Sequence, residues 1–213
     1  MGNGINLKRI ERMVKLSFEN GLRLHYDSIL LFNNESFPSA YFLSILALEE
    51  IGKSFLLEDF WWHSVTEGRM PSNTEKKFLE LIYFHRSKQN NFAYIFDGPI
   101  STKKFTRQLY DGKLEIFKQN SMYVGLEKKN KKIDLKSHII NPLKLKKSKA
   151  LNQITYINDS LLEFTLGVIK GVYCVETESF NKILNEKLFA NLKKKWHIVG
   201  HKTKVKLGKL EKI

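Results

Sequence analysis

Residues 37–57 read FPSAYFLSILALEEIGKSFLL, an apolar run interrupted by three charges, Glu49, Glu50 and Lys53. On a helix turning about 100° per residue, Lys53 lies about 40° from Glu49 and about 60° from Glu50, so the three share one narrow stripe. The rest of that helix surface is almost wholly apolar, which predicts a helix central to its domain with other elements around it. Desolvating a lone carboxylate costs several kcal/mol, on the order of an ion's effective burial penalty, so charges on such a helix are paired or face a cavity or partner. Two readings stay open: a self-satisfied Glu/Lys pair at i,i+3 or i,i+4, or half of a functional site that has one carboxylate to spare.

The flanking pattern predicts an all-α chain. Apolar residues from Leu7 to Leu31 follow the helical period and predict one long helix over 6–32, bent near Gly21. Asn33 to Ser36 reads as a loop, with Ser36 as N-cap and Pro38 in the first turn of the central helix, which runs to about His63 and ends in a loop at Gly68–Asn73. A third helix is expected from Ser72 or Asn73 through Phe96, stopped by Asp97-Gly98-Pro99. A fourth is expected over 102–119, interrupted by Gly112. Ser121 to Gly125 is β-like and leads into an extended segment or small hairpin, giving a basic insertion at about 121–148. A last long helix is expected over 149–192, with Gly167 and Gly171 allowing close packing or a bend. Residues 1–192 thus read as one helical domain, and the lysine-rich tail, 193–213, reads as a segment disordered or ordered only by a partner.

The formal charge of +14 is unevenly placed. Lys128–Lys149 holds nine lysines and one acid, Lys187–Ile213 again nine lysines and one acid, and the remainder is close to neutral. Such segments attract polyanions, and Lys128, Lys129, Lys131, Lys132, Lys193, Lys194 and Lys195 are candidate RNA-binding residues. A merely solvated lysine-rich surface accounts for the same composition. The single cysteine, Cys174, excludes an internal disulfide framework and suits a reducing compartment. No secretory leader is legible at the start and no uncharged run reaches the length of a membrane span, so a cytoplasmic chain without membrane attachment is expected.

The sequence holds no P-loop, dinucleotide fingerprint, paired-cysteine zinc pattern or H-E-x-x-H. His197 and His201 are four apart, as metal ligands on a helix would be, but in a lysine-rich tail that repels cations; no metal or cofactor is expected. The usable constellation is Glu49, Glu50 and Lys53 opposite His85, Arg86 and Lys88 of the next helix, since short loops make consecutive helices antiparallel neighbours. Glu50 lies about 18 residues before the intervening loop and His85 about 12 after it, a mismatch of about 9 Å. A carboxylate beside a histidine fixes its tautomer and raises its basicity, while Arg and Lys supply charge for a phosphate. These residues suit metal-independent phosphodiester cleavage and equally suit a buried ion network that fixes helix register.

The pieces SAYFLSILALEEIGKSFLL, HRSK and KQNSMYVGLEKK, in that order, make residues 10–145 resemble the AbiV family of bacterial abortive-infection proteins, a branch of the HEPN superfamily. The resemblance implies a HEPN-like antiparallel helical bundle, a homodimer, and an antiphage role in which the infected cell stops growing or translating. RNA or the translation machinery is then the expected target and a phage protein the expected activator. The alternative is a non-enzymatic module that binds a phage protein and sequesters a host factor. Many HEPN proteins are ribonucleases with an Arg-x4-6-His motif at the dimer interface, a spacing that no arginine of this chain shows. Carried over by position are Glu49, Glu50, Lys53, His85 and Lys88. Glu50, His85, Lys53 and Lys88 are the candidate catalytic residues, with Glu49 and Arg86 supporting.

Overall fold

The computed structural model describes residues 5–67, 72–96, 103–129 and 132–212. Helix α1 (Leu7–Asn33) begins where the Asn6 side chain accepts a hydrogen bond from the backbone N–H of Lys8, at 2.8 Å. It buries Ile10, Val14, Phe18, Leu22 and Ile29 along one stripe. A short turn with Glu35 in the left-handed region (φ 59°) returns the chain as α2 (Phe37–Thr66). Ser36 is the N-cap by position and Pro38 sits in the first turn, although the Ser36 hydroxyl makes no capping bond. Helix α1 runs unbroken past Gly21, which serves close packing: a Cβ there would lie 2.7 Å from Cγ1 of Ile51.

Helix α2 is the centre of the molecule, as its nearly uniform apolarity predicts, and packs on α1 and on later helices. The third predicted helix is broken. Helix α3 (Ser72–Leu81) ends in two tightened turns, with Tyr83 N–H on Glu80 O and Phe84 N–H on Leu81 O, and α4 (His85–Phe96) starts afresh. The break buries Ile82, leaves Tyr83 and Phe84 exposed, and lets α4 lie on α2 with Phe96 edge-on to Phe55, centroids 5.5 Å apart. The predicted stop at Asp97-Gly98-Pro99 and most of the Gly68–Asn73 loop lie outside the described residues. The fourth helix divides at Gly112, whose φ of 69° suits glycine, into α5 (Lys103–Tyr110) and α6 (Lys113–Asn120).

The insertion is β-like, as its composition predicts. Strand β1 (Gly125–Leu126) pairs antiparallel with β4 (Ile139–Ile140), and β2 (Lys128–Lys129) with β3 (Lys132–Ile133). A 3-10 turn at Pro142–Lys144 then leads into α7 (Lys147–Ile169), which packs on both α1 and α2. The single helix expected over 149–192 is corrected. Gly171 takes φ 68°, the N–H groups of Val172 and Tyr173 fold back onto Gly167 O, and the chain continues as α8 (Glu178–Ile183) and α9 (Glu186–Lys195). A Cβ at Gly167 would lie 2.1 Å from the Tyr173 ring, so glycine makes room for that ring.

The basic tail is corrected as well. Residues 201–210 form α10 (His201–Leu210), which buries Leu207 and Leu210 on the body of the protein. Asp159 of α7 anchors it by accepting from Gly200 N at 2.9 Å and Thr203 Oγ1 at 2.8 Å, and Lys206 pairs with Glu163. Residues 196–200 are not helical, so His197 and His201 do not share a helix face. No helix among the described residues is long and apolar enough to cross a membrane.

Candidate functional site

Gly52 decides where α4 meets α2. A Cβ at this position would stand 2.1 Å from the carbonyl oxygen of Lys88, so only glycine admits the α4 backbone there. Asn91 Nδ2 locks the contact by donating to Gly52 O at 3.0 Å. With α4 in that register, the residue three before Gly52 faces the first turn of α4.

That residue is Glu49, whose side chain is 2% exposed. Its Oε2 lies 2.7 Å from Nδ1 of His85. Its Oε1 accepts from Gln89 Nε2 at 2.7 Å and from Lys118 Nζ at 2.9 Å. Lys88 Nζ stands 4.0 Å from Oε2. Burial above all, joined by the like charges of Lys53 and Lys118, pushes the Lys88 ammonium below its ordinary range, against the attraction of Glu49 and Glu50. Lys118, 7% exposed, also pairs with Glu115 at 2.6 Å. Burial raises the Glu115 carboxyl, but the Lys118 and Gln119 hydrogen bonds and the charges of Lys118 and His85 outweigh it and leave it lowered.

His85 is the one member of this cluster that reaches solvent broadly, with half of its side chain exposed. Glu49 holds Nδ1, so Nε2 is the atom left to meet a ligand. Arg86, the next residue, donates from Nη2 to Tyr110 O at 2.7 Å and so ties α4 to the α5–α6 turn.

Both sequence-derived patches therefore meet, through Glu49 rather than Glu50. Glu50, about 100° further round the helix, accepts from Asn20 Nδ2 of α1 at 3.2 Å and pairs with Lys53 at 3.8 Å. Glu50 and Lys53 satisfy the i,i+3 reading on the side of α2 that faces α1, away from the His85 contact. The sequence reading missed Gln89 and Lys118. Gln89 had a signal, since it follows His85 by four on one helix face. Lys118 had only its i,i+3 relation to Glu115, for its partner Glu49 lies 69 residues away.

Glu49, His85 and Glu115 each present one ligand atom, all within 4.8 Å of one another. The Lys118 ammonium stands among them, 2.9 Å from Glu49, 2.6 Å from Glu115 and 3.4 Å from His85 Nδ1, and supplies the positive charge that a bound cation would. Of the candidate RNA-binding lysines, Lys132, Lys193, Lys194 and Lys195 are exposed. Lys128 and Lys129 form β2, and Lys131 lies outside the described residues.

The described residues form an all-α, HEPN-like helical bundle. The AbiV family model matches residues 9–163, and the chain belongs to the AbiV family of the HEPN superfamily, which places it in the abortive-infection class of defence proteins. No curated protein and no solved structure matches.

Proposed function

We propose that this protein is an antiphage abortive-infection effector that cleaves RNA in the cytoplasm, without a metal, and so arrests translation in the infected cell. The observation that carries this reading is the 2.7 Å contact between the buried Glu49 carboxylate and Nδ1 of a half-exposed His85. With Nδ1–H donated to Glu49, the Nε2 lone pair takes the proton of an RNA 2′-hydroxyl. The 2′-oxygen forms its bond to phosphorus as the P–O5′ bond breaks, and the leaving 5′-oxygen takes a proton from solvent. The product is a 2′,3′-cyclic phosphate. Lys88 and Lys118 hold positive charge beside the reacting phosphate as its charge builds. Exposed Phe84, Tyr83 and Tyr110 near this opening are surfaces on which unpaired bases stack.

The test is incubation of purified protein with single-stranded RNA and with ribosomes, in chelator, with and without a phage extract as the source of an activator. Cyclic-phosphate ends that disappear in His85→Ala are expected. Uncut RNA under every condition overturns the reading.

A second reading is a homodimeric interaction module that binds a phage protein and sequesters a host factor without chemistry. It is favoured by the insertion, where Leu135 and Leu143 are 84% and 86% exposed and Val124 and Ile139 are exposed as well. Replacing Leu135 and Leu143 with Ser should abolish protection under this reading and leave it intact under the first.

A further inference from the structure

The two basic segments stand 46 residues apart along the chain at Lys149 and Lys195, yet the fold joins them around the α1–α2 turn. Lys147, the first residue of α7, holds its ammonium 5.8 Å from the Phe32 ring and 5.7 Å from the Phe37 ring. The same Phe32 ring receives Trp196 edge-on at 5.3 Å, just beyond the end of α9. Lys195, the last residue of α9, stands 5.6 Å over Tyr26, further back along α1. On the other side of α7, Lys149 stands 4.9 Å over Phe117, the neighbour of Lys118 in the Glu49 cluster. The start of α7 therefore bridges the polar site and the basic end of α9.

Each of these lysines is exposed, and each ammonium is held over an aromatic face rather than neutralised by a carboxylate in the described ion pairs. Neighbouring Lys193, over Phe189, is partly offset by Glu211 at 3.6 Å, and Glu35 in the α1–α2 turn offers one opposing charge. A lysine parked on a ring keeps its charge for a ligand while losing little further freedom on binding, which suits repeated contact with phosphates.

We propose that Lys149, Lys147 and Lys195 mark one phosphate track leading from the Glu49–His85 site across the α1–α2 turn, and that the ligand is a single-stranded RNA longer than the site itself. The proposal rests on the functional reading above for its site end, and the experiment separates the two. Non-cleavable 2′-O-methyl RNAs of about 4 and about 12 nucleotides are titrated by fluorescence anisotropy across a salt series. The longer RNA should bind more tightly, and Lys147→Gln/Lys149→Gln/Lys195→Gln should weaken it at least about tenfold more than the shorter one, with a log K against log salt slope shallower by about 2. Lys8→Gln/Lys76→Gln/Lys182→Gln, an equal loss of exposed charge near the opposite end of α1, should retain binding. Circular dichroism confirms that both variants fold.

Equal weakening by the two triple variants, or displacement of the longer RNA by polyglutamate as readily as by unlabelled RNA, overturns the track. Length-dependent binding lost only in the first triple variant, in a protein that never cleaves RNA, upholds the track while removing the catalytic reading.

Discussion

Glu49 and Glu58 are two buried carboxylates nine residues apart on one helix, and the fold uses them in opposite ways. Glu58 accepts from Glu176 N at 2.5 Å, Thr177 N at 2.8 Å and Thr177 Oγ1 at 2.7 Å, so its partners are the backbone and cap residue at the start of α8. Among the described residues it meets no cation there, and burial pushes its carboxyl above the usual range, with those hydrogen bonds only partly offsetting the shift. Glu49 is surrounded by side chains, two of them ammonium groups, and one partner is a ring that opens to solvent. Burial of a carboxylate does not by itself mark a site. What matters is whether its partners end in the backbone or lead out to where a ligand can arrive.

The largest expected effect comes from removing the counter-charge. Glu49→Ala should lower the unfolding free energy by about 3–5 kcal/mol, because Lys88 would lose its buried carboxylate partner and Lys118 would keep only Glu115. Urea denaturation measures it, and a loss below about 1 kcal/mol would show that the ammonium groups do not depend on Glu49. Glu58→Ala should come next, at about 2–4 kcal/mol, from two stranded N–H groups and a hydroxyl. RNA cleavage per folded molecule should survive it. Lost cleavage in a fully folded Glu58→Ala protein would break the division between the two carboxylates.

Acid should produce a smaller, signed effect through His25, which is fully buried against Asn158 at 3.1 Å. Burial lowers its pKa to about 4, the Asn158 hydrogen bond opposing only in part. The unfolded chain therefore takes up this proton from about pH 6.5 downward while the folded one resists until about pH 4, and stability falls across that window. At pH 5 the loss relative to pH 7 should be about 2 kcal/mol. The carboxyls of Glu58 and Asp159 are pushed up by burial, so the folded state binds their protons more readily and their contribution rises on acidification. His25→Leu should thus flatten or reverse the slope, and an unchanged slope would assign it elsewhere. The smallest stability effect belongs to His85→Ala, within about 1 kcal/mol because the ring is half exposed. Its effect on activity should be the greatest of the four variants. A large loss of stability here would turn the ring into another buried strut and erase the contrast with Glu58.

Much of the scaffold was legible in the residues. The uniform apolarity of 37–57 marked the central helix, and its stripe of charge, with His85 and Lys88, marked two patches that do meet. The choice between Glu49 and Glu50 was not legible, since it turns on one residue of register. That register depends on the break at Tyr83–Phe84, which contains no glycine or proline, and on the Gly52 contact. Lys118 reaches Glu49 only through tertiary docking. The tail misled because lysines dilute a helical spacing that Leu207 and Leu210 nonetheless keep, and because the acids that fasten it, Asp159 and Glu163, lie on α7.

The close approach of α1 and α2 at Gly21 also has a consequence for synthesis. The two helices are joined by a short turn and pack against each other within the first 66 residues, so their contacts are local and close quickly. The ligands of Glu49 arrive at positions 85, 89 and 118, much later in the chain. A ribosome that has made the first two helices has made Glu49 and none of these partners. Since domains form as the chain emerges, the Glu49 cluster stays incomplete until Lys118 has left the exit tunnel, and a truncated product carries the hairpin without the cluster.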